Sequence, residues 1–233
     1  MGNIAIIPAR GGSKRIPRKN IKEFCGKPII AYSIEAALKS GLFDEVMVST
    51  DDEEIAAIAR QYGAEVPFMR SEATASDYAT DGDAVKEVLS EYEKLGRHFD
   101  YFFCVYATSA FTKPEILQGM MKQFQDNPRI SQINVVMPYD YTPMRAKRFQ
   151  DDGELRYVLP EFAPYRTQDL PPCFHDAGIA YAANTDMYSE KIPWEGIVSG
   201  YVVDSMYGQD MDTLEDWEMA EFKYQYLKSK GKI

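Results

Sequence analysis

The chain has few cysteines, few basic residues relative to acidic ones and no long apolar run. Cys25, Cys104 and Cys173 lie far apart and form no C-x-x-C pair, which argues against a metal cluster or a disulfide framework. Its 36 acidic and 26 basic residues give a net charge of −10, which argues against a general binder of nucleic acid or anionic membranes. No apolar run approaches the roughly 20 residues of a membrane-spanning helix, and we see no secretory signal pattern. We therefore expect a cytoplasmic protein.

Against this acidic background, the segment after the first predicted strand is strongly basic. Ile4–Pro8 is typical of a buried strand, and residues 10–22 then hold six Lys and Arg and no acidic residue. Gly11 and Gly12 allow the backbone to approach phosphate oxygens, and successive N–H groups can form an anion nest. The segment matches neither G-x-G-x-x-G nor the P-loop pattern. It nevertheless favours binding of a nucleoside triphosphate over a merely solvated basic loop.

Strand and helix patterns alternate along the first half of the chain. Strands are predicted at 4–8, 45–49, 101–106 and 132–137, and helices at 28–40, 52–62, 81–96 and 114–127. This order predicts an α/β fold: a Rossmann-like, mostly parallel sheet with helices on both faces. Ligands bind beyond the carboxyl ends of such strands. Three segments are expected at that edge: the basic segment, Thr50-Asp51-Asp52 and Ala107-Thr108-Ser109.

The pattern changes in the second half. Residues 138–172 are rich in proline and tyrosine, and we interpret them as a small β-rich arm, used for dimerisation or for covering the site, inserted in a single domain of residues 1–233. Strands are expected near 179–183 and 201–203, and a last helix over 213–228. Asp212 or Thr213 would cap that helix, and Trp217 would lie in the core.

Several motifs together resemble the cytidylyltransferases that activate nonulosonic (sialic-type) acids. The opening motif is Ile6–Asn20 followed by Gly26-Lys27-Pro28, and further similar segments are Val48–Ala56, Val66–Arg70 with Ala75-Ser76-Asp77, and Gln209–Thr213. The resemblance covers nearly the whole chain. It implies a nucleotide-diphospho-sugar transferase type of fold, a homodimer, and transfer of CMP from CTP to the anomeric hydroxyl of a nine-carbon sugar acid, with release of pyrophosphate.

Two segments resemble the pseudaminic acid branch of that family. Tyr106–Phe111 is similar to Y-A-T-A-P-F, and Arg166–Leu170 with Phe174–Gly178 is similar to R-S-Q-D-L and Y-H-D-A-G. Ser109-Ala110 and Ile179-Ala180-Tyr181 depart from the branch pattern. Pseudaminic acid is therefore the favoured acceptor. N-acetylneuraminic and legionaminic acids remain alternatives.

The resemblance also implies roles for individual residues. Catalytic contacts to the triphosphate are expected from Arg10, Lys14 and Lys19. The nucleotide-binding set is Ala9, Arg10, Gly11, Gly12, Ser13, Asn20, Arg70 and Ser76, and the sugar-acid set is Tyr106, Thr108, Arg166, His175 and Asp176. Asp210 and Asp212 flank one residue, point to the same side of an extended segment and would hold Mg²⁺, which prefers carboxylate oxygens and phosphates.

Simpler interpretations stay open beside these roles. Asp212 and Asp52 are both suited to helix capping, a lone histidine such as His175 often packs by hydrogen bonding, and Arg166 suits the surface of the arm. For the whole chain, two other functions remain: a nucleotidyltransferase for another base or a sugar phosphate, and a non-catalytic nucleotide-binding module.

Overall fold

The fold is known from a computed structural model that describes residues 2–189 and 196–233. Its strands are β1 (Asn3–Pro8), β2 (Glu23–Phe24), β3 (Lys27–Pro28), β4 (Glu45–Ser49), β5 (Tyr101–Val105), β6 (Ile130–Pro138), β7 (Lys147–Phe149), β8 (Leu155–Tyr157), β9 (Phe174–Asn184) and β10 (Ile197–Val202). Its helices are α1 (Ile30–Ser40), α2 (Glu53–Gln61), α3 (Glu72–Ala75), α4 (Asp81–Lys94), α5 (Pro114–Asp126), α6 (Thr185–Ser189) and α7 (Leu214–Ser229).

Six strands form one central sheet in the order β10-β6-β9-β5-β1-β4. β1 is parallel to β4 and β5, and β6 is parallel to β10. β9 runs antiparallel to both of its neighbours, β5 and β6. The predicted α/β class with a mostly parallel sheet is confirmed.

Alternate residues of β1 face two different cores, as a strand covered on both faces requires. Ala5 and Ile7 belong to a cluster that includes the apolar faces of α1, α2 and α5. Ile4 and Ile6 belong to a second cluster with residues of α4. Burial of each large aliphatic side chain contributes about 1.5–3 kcal/mol, so these two faces fix the register of the central strand.

A third cluster attaches the last helix to the start of the chain. Trp217 of α7 is 3% exposed, and its ring lies 5.5 Å edge-on from that of Phe24. The core position predicted for Trp217 is confirmed. The helix is capped by Thr213 in a reciprocal capping box with Asp216, so the capping role left open for Asp212 is wrong, and the Asp212 carboxylate has other partners.

Several predicted boundaries are shifted in the structure. The helix predicted from residue 28 begins at Ile30, because Lys27–Pro28 pairs with Glu23–Phe24 in a small hairpin. The strand predicted at 179–183 begins at Phe174, because its early residues pair with the end of β6. Within the predicted arm, β7 and β8 form a two-stranded sheet separate from the central one.

Candidate active site

The basic segment is held against the end of the neighbouring strand, as expected for loops at the carboxyl edge of a parallel sheet. The Ala9 N–H donates to the Ser49 carbonyl at 2.9 Å, and the Gly11 N–H donates to Asp51 Oδ1 at 2.8 Å. A Cβ atom on Gly11 would come within 2.8 Å of Asp52 Oδ2. A larger residue at position 11 would therefore displace the Asp52 side chain, because the two loops approach closely here.

Arg18 anchors the far end of the same segment. Its backbone has φ 56°, a left-handed conformation that is uncommon for a side chain of this size. Its guanidinium donates to both carboxylate oxygens of Asp52, while Asp52 also accepts from the N–H groups of Glu54 and Ile55 and so caps α2. The Arg18 hydrogen bond lowers the pKa of Asp52 to about 2. The sequence predicted the cap, but not this ion pair.

We expect Asp52→Asn to lower the free energy of unfolding by about 1 kcal/mol at pH 7, because an amide keeps the cap but loses the charge that Arg18 contacts, and Arg18 is partly exposed. The folded pKa of Asp52, about 2, is below the ordinary value near 3.9. The stabilisation is therefore complete above pH 4 and is lost as the pH falls towards 2.

Urea denaturation at a series of pH values measures this effect. A difference in the free energy of unfolding between variant and parent that stays constant from pH 6 to pH 2 would contradict it.

The same curves test the predicted single domain. One transition seen by both fluorescence and circular dichroism would support it.

A cavity of about 690 Å³ opens between the basic segment, Arg70, residues 77–81, the segment after β5, the start of β9 and residues 209–210. We call it the main cavity. It brings together ten of the predicted site residues: Arg10, Ser13, Lys14, Lys19, Asn20, Arg70, Tyr106, Thr108, Asp176 and Asp210. Residues so far apart in sequence meet here because three parallel strands end at the same edge.

The cations of the main cavity are partly neutralised by one carboxylate. Arg10 Nη1 lies 3.0 Å from Asp77 Oδ1 and 2.9 Å from the Ser76 carbonyl, and Lys14 contacts the same Asp77. The Lys14 contact lowers the pKa of Asp77. Asp77 was quoted in a motif but given no role, and Ser76 contributes its carbonyl rather than its hydroxyl to Arg10. A bound triphosphate would compete with Asp77 for both cations.

Arg70 and Asp81 also line the main cavity. Arg70 is 8% exposed. Its backbone N–H donates to the Thr50 carbonyl at 2.8 Å, and its side-chain Nη2 donates to the Thr74 carbonyl. Its buried Nε has no hydrogen-bond partner, and burial lowers its pKa. Asp81, which the sequence did not single out, faces the same space, and enclosure by protein raises its pKa.

The two late aspartates differ in their surroundings. Asp210 lines the main cavity, and its carboxylate has no partner among the described residues. Asp212 Oδ2 accepts from Arg15 at 2.7 Å and Asp212 Oδ1 lies 3.8 Å from Lys19. Lys19 also donates to the Met211 carbonyl at 2.9 Å. The basic segment and the Asp-x-Asp element are thus joined directly.

These residues fit a magnesium ion that is held partly by phosphate. Within residues 2–189 and 196–233, no three His, Cys, Asp or Glu side chains converge on a metal position. Mg²⁺ commonly uses one or two carboxylates and completes its shell with water and substrate phosphates. Asp210 is free to act in this way, and Asp212 would first have to release Arg15.

A second cavity of about 360 Å³ adjoins the main one. It shares Asp81, Tyr106, Asp176 and Gly178 with the main cavity and continues towards Gln132, Asn134, Tyr181 and Tyr188. Burial raises the pKa of Tyr106 well above its ordinary value, so its phenol stays protonated and can donate. The polar side chains of β6 in this cavity gave no signal in the sequence beyond their alternation along a strand.

The remaining predicted site residues lie outside the main cavity. Arg166 pairs with Asp169 at 2.6 Å within the arm, and His175 packs its ring against Tyr139 at 4.5 Å. These two contacts match the simpler interpretations given above. Five more predicted residues do not line the main cavity: Ala9, Gly11, Gly12, Ser76 and Asp212. The first three belong to the loop that lines it, Ser76 bonds to Arg10, and Asp212 lies near Lys19.

In the part of the chain that the structure describes, no helix combines the length and apolar character needed to span a membrane. All three cysteines are free thiols. No disulfide therefore contributes to the site within the described residues.

Comparisons with known proteins agree with this architecture. A family model described as cytidylyltransferase matches residues 4–154. Pseudaminic acid cytidylyltransferase of Campylobacter jejuni is 37% identical over 225 residues, which cover 96% of this chain and 97% of that protein. CMP-N,N'-diacetyllegionaminic acid synthase of Legionella pneumophila is 34% identical over 231 residues, 94% of each chain.

Among solved structures, a CMP:2-keto-3-deoxy-manno-octonic acid synthetase in complex with CTP has a TM-score of 0.71 and covers 97% of this chain and 99% of its own. At 19% identity, that similarity concerns the fold alone. The family model and the sequence relatives show the family. The chain belongs to the cytidylyltransferase family of nucleotidyltransferases.

Proposed function

We propose that this protein transfers CMP from CTP to the anomeric hydroxyl of a nonulosonic acid, with pseudaminic acid as the favoured acceptor, and releases pyrophosphate. The observation that carries the proposal is the main cavity, whose lining brings Arg10, Lys14 and Lys19 together with Asp210, Arg70 and Tyr106. The Campylobacter jejuni relative, whose name specifies pseudaminic acid, supports the choice of acceptor.

The basic segment would bind the triphosphate. Phosphoryl-type transfer needs mainly positioning and neutralisation of charge. Lys14 and Arg10 lie at the cavity edge and supply the cations, while Gly11, Gly12 and Ser13 offer backbone N–H groups. The Gly11 N–H is already bonded to Asp51, and the Ser13 N–H donates to the Gly11 carbonyl at 3.0 Å. Of these three groups, the Gly12 N–H is therefore the one left for phosphate oxygens.

The nucleoside end of CTP would lie towards Arg70, with Asn20 and Ser76 beside it. Asn20 donates its side-chain amide to the Arg10 carbonyl at 2.9 Å, so it also fixes the turn that carries Arg10. Ala9 contributes backbone only, since its side chain is fully buried. Base and phosphate would thus be held by neighbouring parts of one loop system.

A divalent cation is proposed at Asp210, with Asp212 as a second ligand. When bound, Mg²⁺ would neutralise phosphate charge and polarise the reacting phosphoryl group. Lys19 would keep the Asp-x-Asp element in place through its bond to the Met211 carbonyl. These contacts explain why the late element and the first loop have to fold against each other.

The acceptor would occupy the second cavity, which Tyr106 and Asp176 connect to the main one. Tyr106 and Thr108 lie at the end of β5 and would contact the sugar acid. Arg166 and His175 are kept as proposed contacts only through a rearranged arm or a second copy of the chain, because in this chain they lie elsewhere.

A homodimer is proposed on the basis of the exposed apolar side chains of the arm. Tyr141 is 87% and Phe149 is 75% exposed, and such side chains favour an interface. Sedimentation at micromolar concentration should give twice the mass of the chain, and a monomer mass would contradict the dimer.

A cytoplasmic location is supported by the CTP substrate and the three free thiols, and cell fractionation tests it.

The proposed function is tested by pyrophosphate release from CTP and Mg²⁺ with a panel of sugar acids. Pseudaminic acid should give the highest kcat/KM, and the Legionella relative makes diacetyllegionaminic acid the second candidate. Higher activity with that acid would reassign the acceptor. CTP binding by calorimetry without pyrophosphate release from any acid would instead support a non-catalytic module.

A further inference from the structure

Asp81 is a carboxylate in the main cavity to which none of the roles above applies. It is the first residue of α4, directly after the capping residue Thr80, and it lines both cavities. Asp83, in the same helical turn, bonds to Thr80, whereas Asp81 has no hydrogen bond or ion pair within the described residues. The Asp81 carboxylate is therefore available to a ligand.

Arg70 complements Asp81 in the main cavity. Its buried Nε–H is an unsatisfied donor, which is costly unless a ligand or water accepts from it. The two side chains interact electrostatically, yet no Arg70 nitrogen lies within 4.0 Å of an Asp81 oxygen. The Asp81 carboxylate, an acceptor, and the Arg70 Nε–H, a donor, thus belong to neighbouring side chains that are not bonded to each other.

The neighbour of Asp81 decides which part of the substrates meets this pair. A carboxylate that faces a polyphosphate without an intervening cation repels it, whereas the nucleoside and the hydroxyl groups of the sugar acid are uncharged. Asp81 interacts electrostatically with Arg70, which is proposed above to lie at the nucleoside end of CTP. Asp81 therefore fits the nucleoside better than the polyphosphate or the acceptor.

Cytosine offers the matching pattern. Its exocyclic 4-amino group donates, as an aspartate or glutamate requires, whereas the corresponding group of uracil is a carbonyl oxygen that a carboxylate repels. The ring nitrogen N3 and the carbonyl O2 of cytosine accept and suit an N–H donor. We infer that Asp81 accepts from the 4-amino group of cytosine while Arg70 donates to O2 or N3, so that Asp81 sets the preference for CTP over UTP. This inference rests on the proposed function.

The test compares nucleotides in the Asp81→Asn variant, which keeps the shape of the side chain but can turn its amide to donate or accept. The ratio of kcat/KM for CTP to that for UTP should fall about 10- to 100-fold, with KM for CTP raised and kcat little changed. The matched control is Glu53→Gln, which removes an exposed carboxylate from the same position of α2 and should leave the ratio unchanged.

A second measurement uses the unmodified protein. Replacing CTP by the triphosphate of pyrimidin-2-one riboside, which lacks the 4-amino group, should reduce kcat/KM about 10- to 100-fold. This result does not depend on whether the variant folds. Equal use of the two nucleotides would overturn the inference.

Other outcomes separate this inference from the proposed function. An unchanged CTP to UTP ratio in Asp81→Asn, with normal CTP turnover by the parent, would overturn only the role of Asp81. Loss that depends on the ribose hydroxyls of CTP rather than on the base would reassign Asp81 to the ribose. A fall in kcat alone, with loss of the acidic limb of its pH profile, would make Asp81 a proton acceptor. Failure of the parent to use CTP with any sugar acid would overturn the function itself.

Discussion

Asp210→Asn is expected to lower kcat for pyrophosphate release about 100- to 1,000-fold, a loss comparable to removal of one group that stabilises charge in a transition state. The Asp210 carboxylate lines the main cavity and has no protein partner among the described residues. The substitution therefore removes a proposed metal ligand without removing a structural contact. We expect the free energy of unfolding to change by less than about 0.5 kcal/mol, as for other surface substitutions.

The measurement is kcat at saturating CTP and sugar acid over a range of Mg²⁺ concentrations, together with CTP binding in the presence of EDTA. Binding without metal should be nearly the same in variant and parent, while the Mg²⁺ concentration for half-maximal rate should rise. Asp151→Asn, in an exposed turn of the arm, serves as the control for loss of one negative charge. A kcat within threefold of the parent at every Mg²⁺ concentration would remove Asp210 from the metal site.

Asp212 sharpens the comparison because its carboxylate is engaged by Arg15 at 2.7 Å. Asp212→Asn would weaken both a proposed metal contact and this ion pair. Its effect on stability should therefore exceed that of Asp210→Asn.

The sheet edge at which the main cavity lies could be predicted from the sequence, because the order of strands and helices determines where the loops meet. An alternation of strands and helices implies parallel strands, and parallel strands place the segments after β1, β4 and β5 at one edge. The contacts of Gly11 with Asp51 and of Arg18 with Asp52 follow from that placement. The identities of the contacting pairs do not, since many acidic residues stand near that edge.

Arg166 and His175 lie outside the main cavity, although the resemblance between sequences implied a role for both in binding the sugar acid. A motif gives the type of a residue and its place in the chain, but not the path of an inserted arm. Arg166 lies three residues before Asp169 and pairs with it locally. His175 is the second residue of β9, which pairs with the end of β6, and its ring lies beside Tyr139. The position of His175 depends on long-range strand pairing, which local patterns do not specify.

Asp77 and Asp81 were missed for a different reason. Both follow a short helix and a turn of small and polar residues, where acidic side chains are expected as caps or as solvated groups. Only the folded structure brings Asp77 into contact with Arg10 and Asp81 near Arg70. The signal available in the sequence was their density: three aspartates occur between residues 77 and 83.

Arg10→Ala is expected to reduce kcat/KM for CTP about 1,000-fold while changing the affinity for the sugar acid less than about threefold. Arg10 lies in the main cavity and contacts Asp77 and the Ser76 carbonyl. Hydrogen bonds between a guanidinium and phosphate oxygens are among the strongest in proteins, and charge on the triphosphate grows as pyrophosphate leaves. The loss should therefore appear in both kcat and KM for CTP.

Two further variants separate charge from geometry. Arg10→Lys keeps a cation but not the planar donor pair, so its kcat/KM should lie between those of the parent and Arg10→Ala. Arg129→Ala removes an exposed arginine remote from the cavity lining and should be silent. CMP, which lacks the β- and γ-phosphates, should lose much less affinity than CTP in Arg10→Ala. If CTP, CMP and the sugar acid all lost affinity equally, Arg10 would be supporting the fold of the loop rather than binding the triphosphate, because only a direct phosphate contact distinguishes these three ligands by their charge.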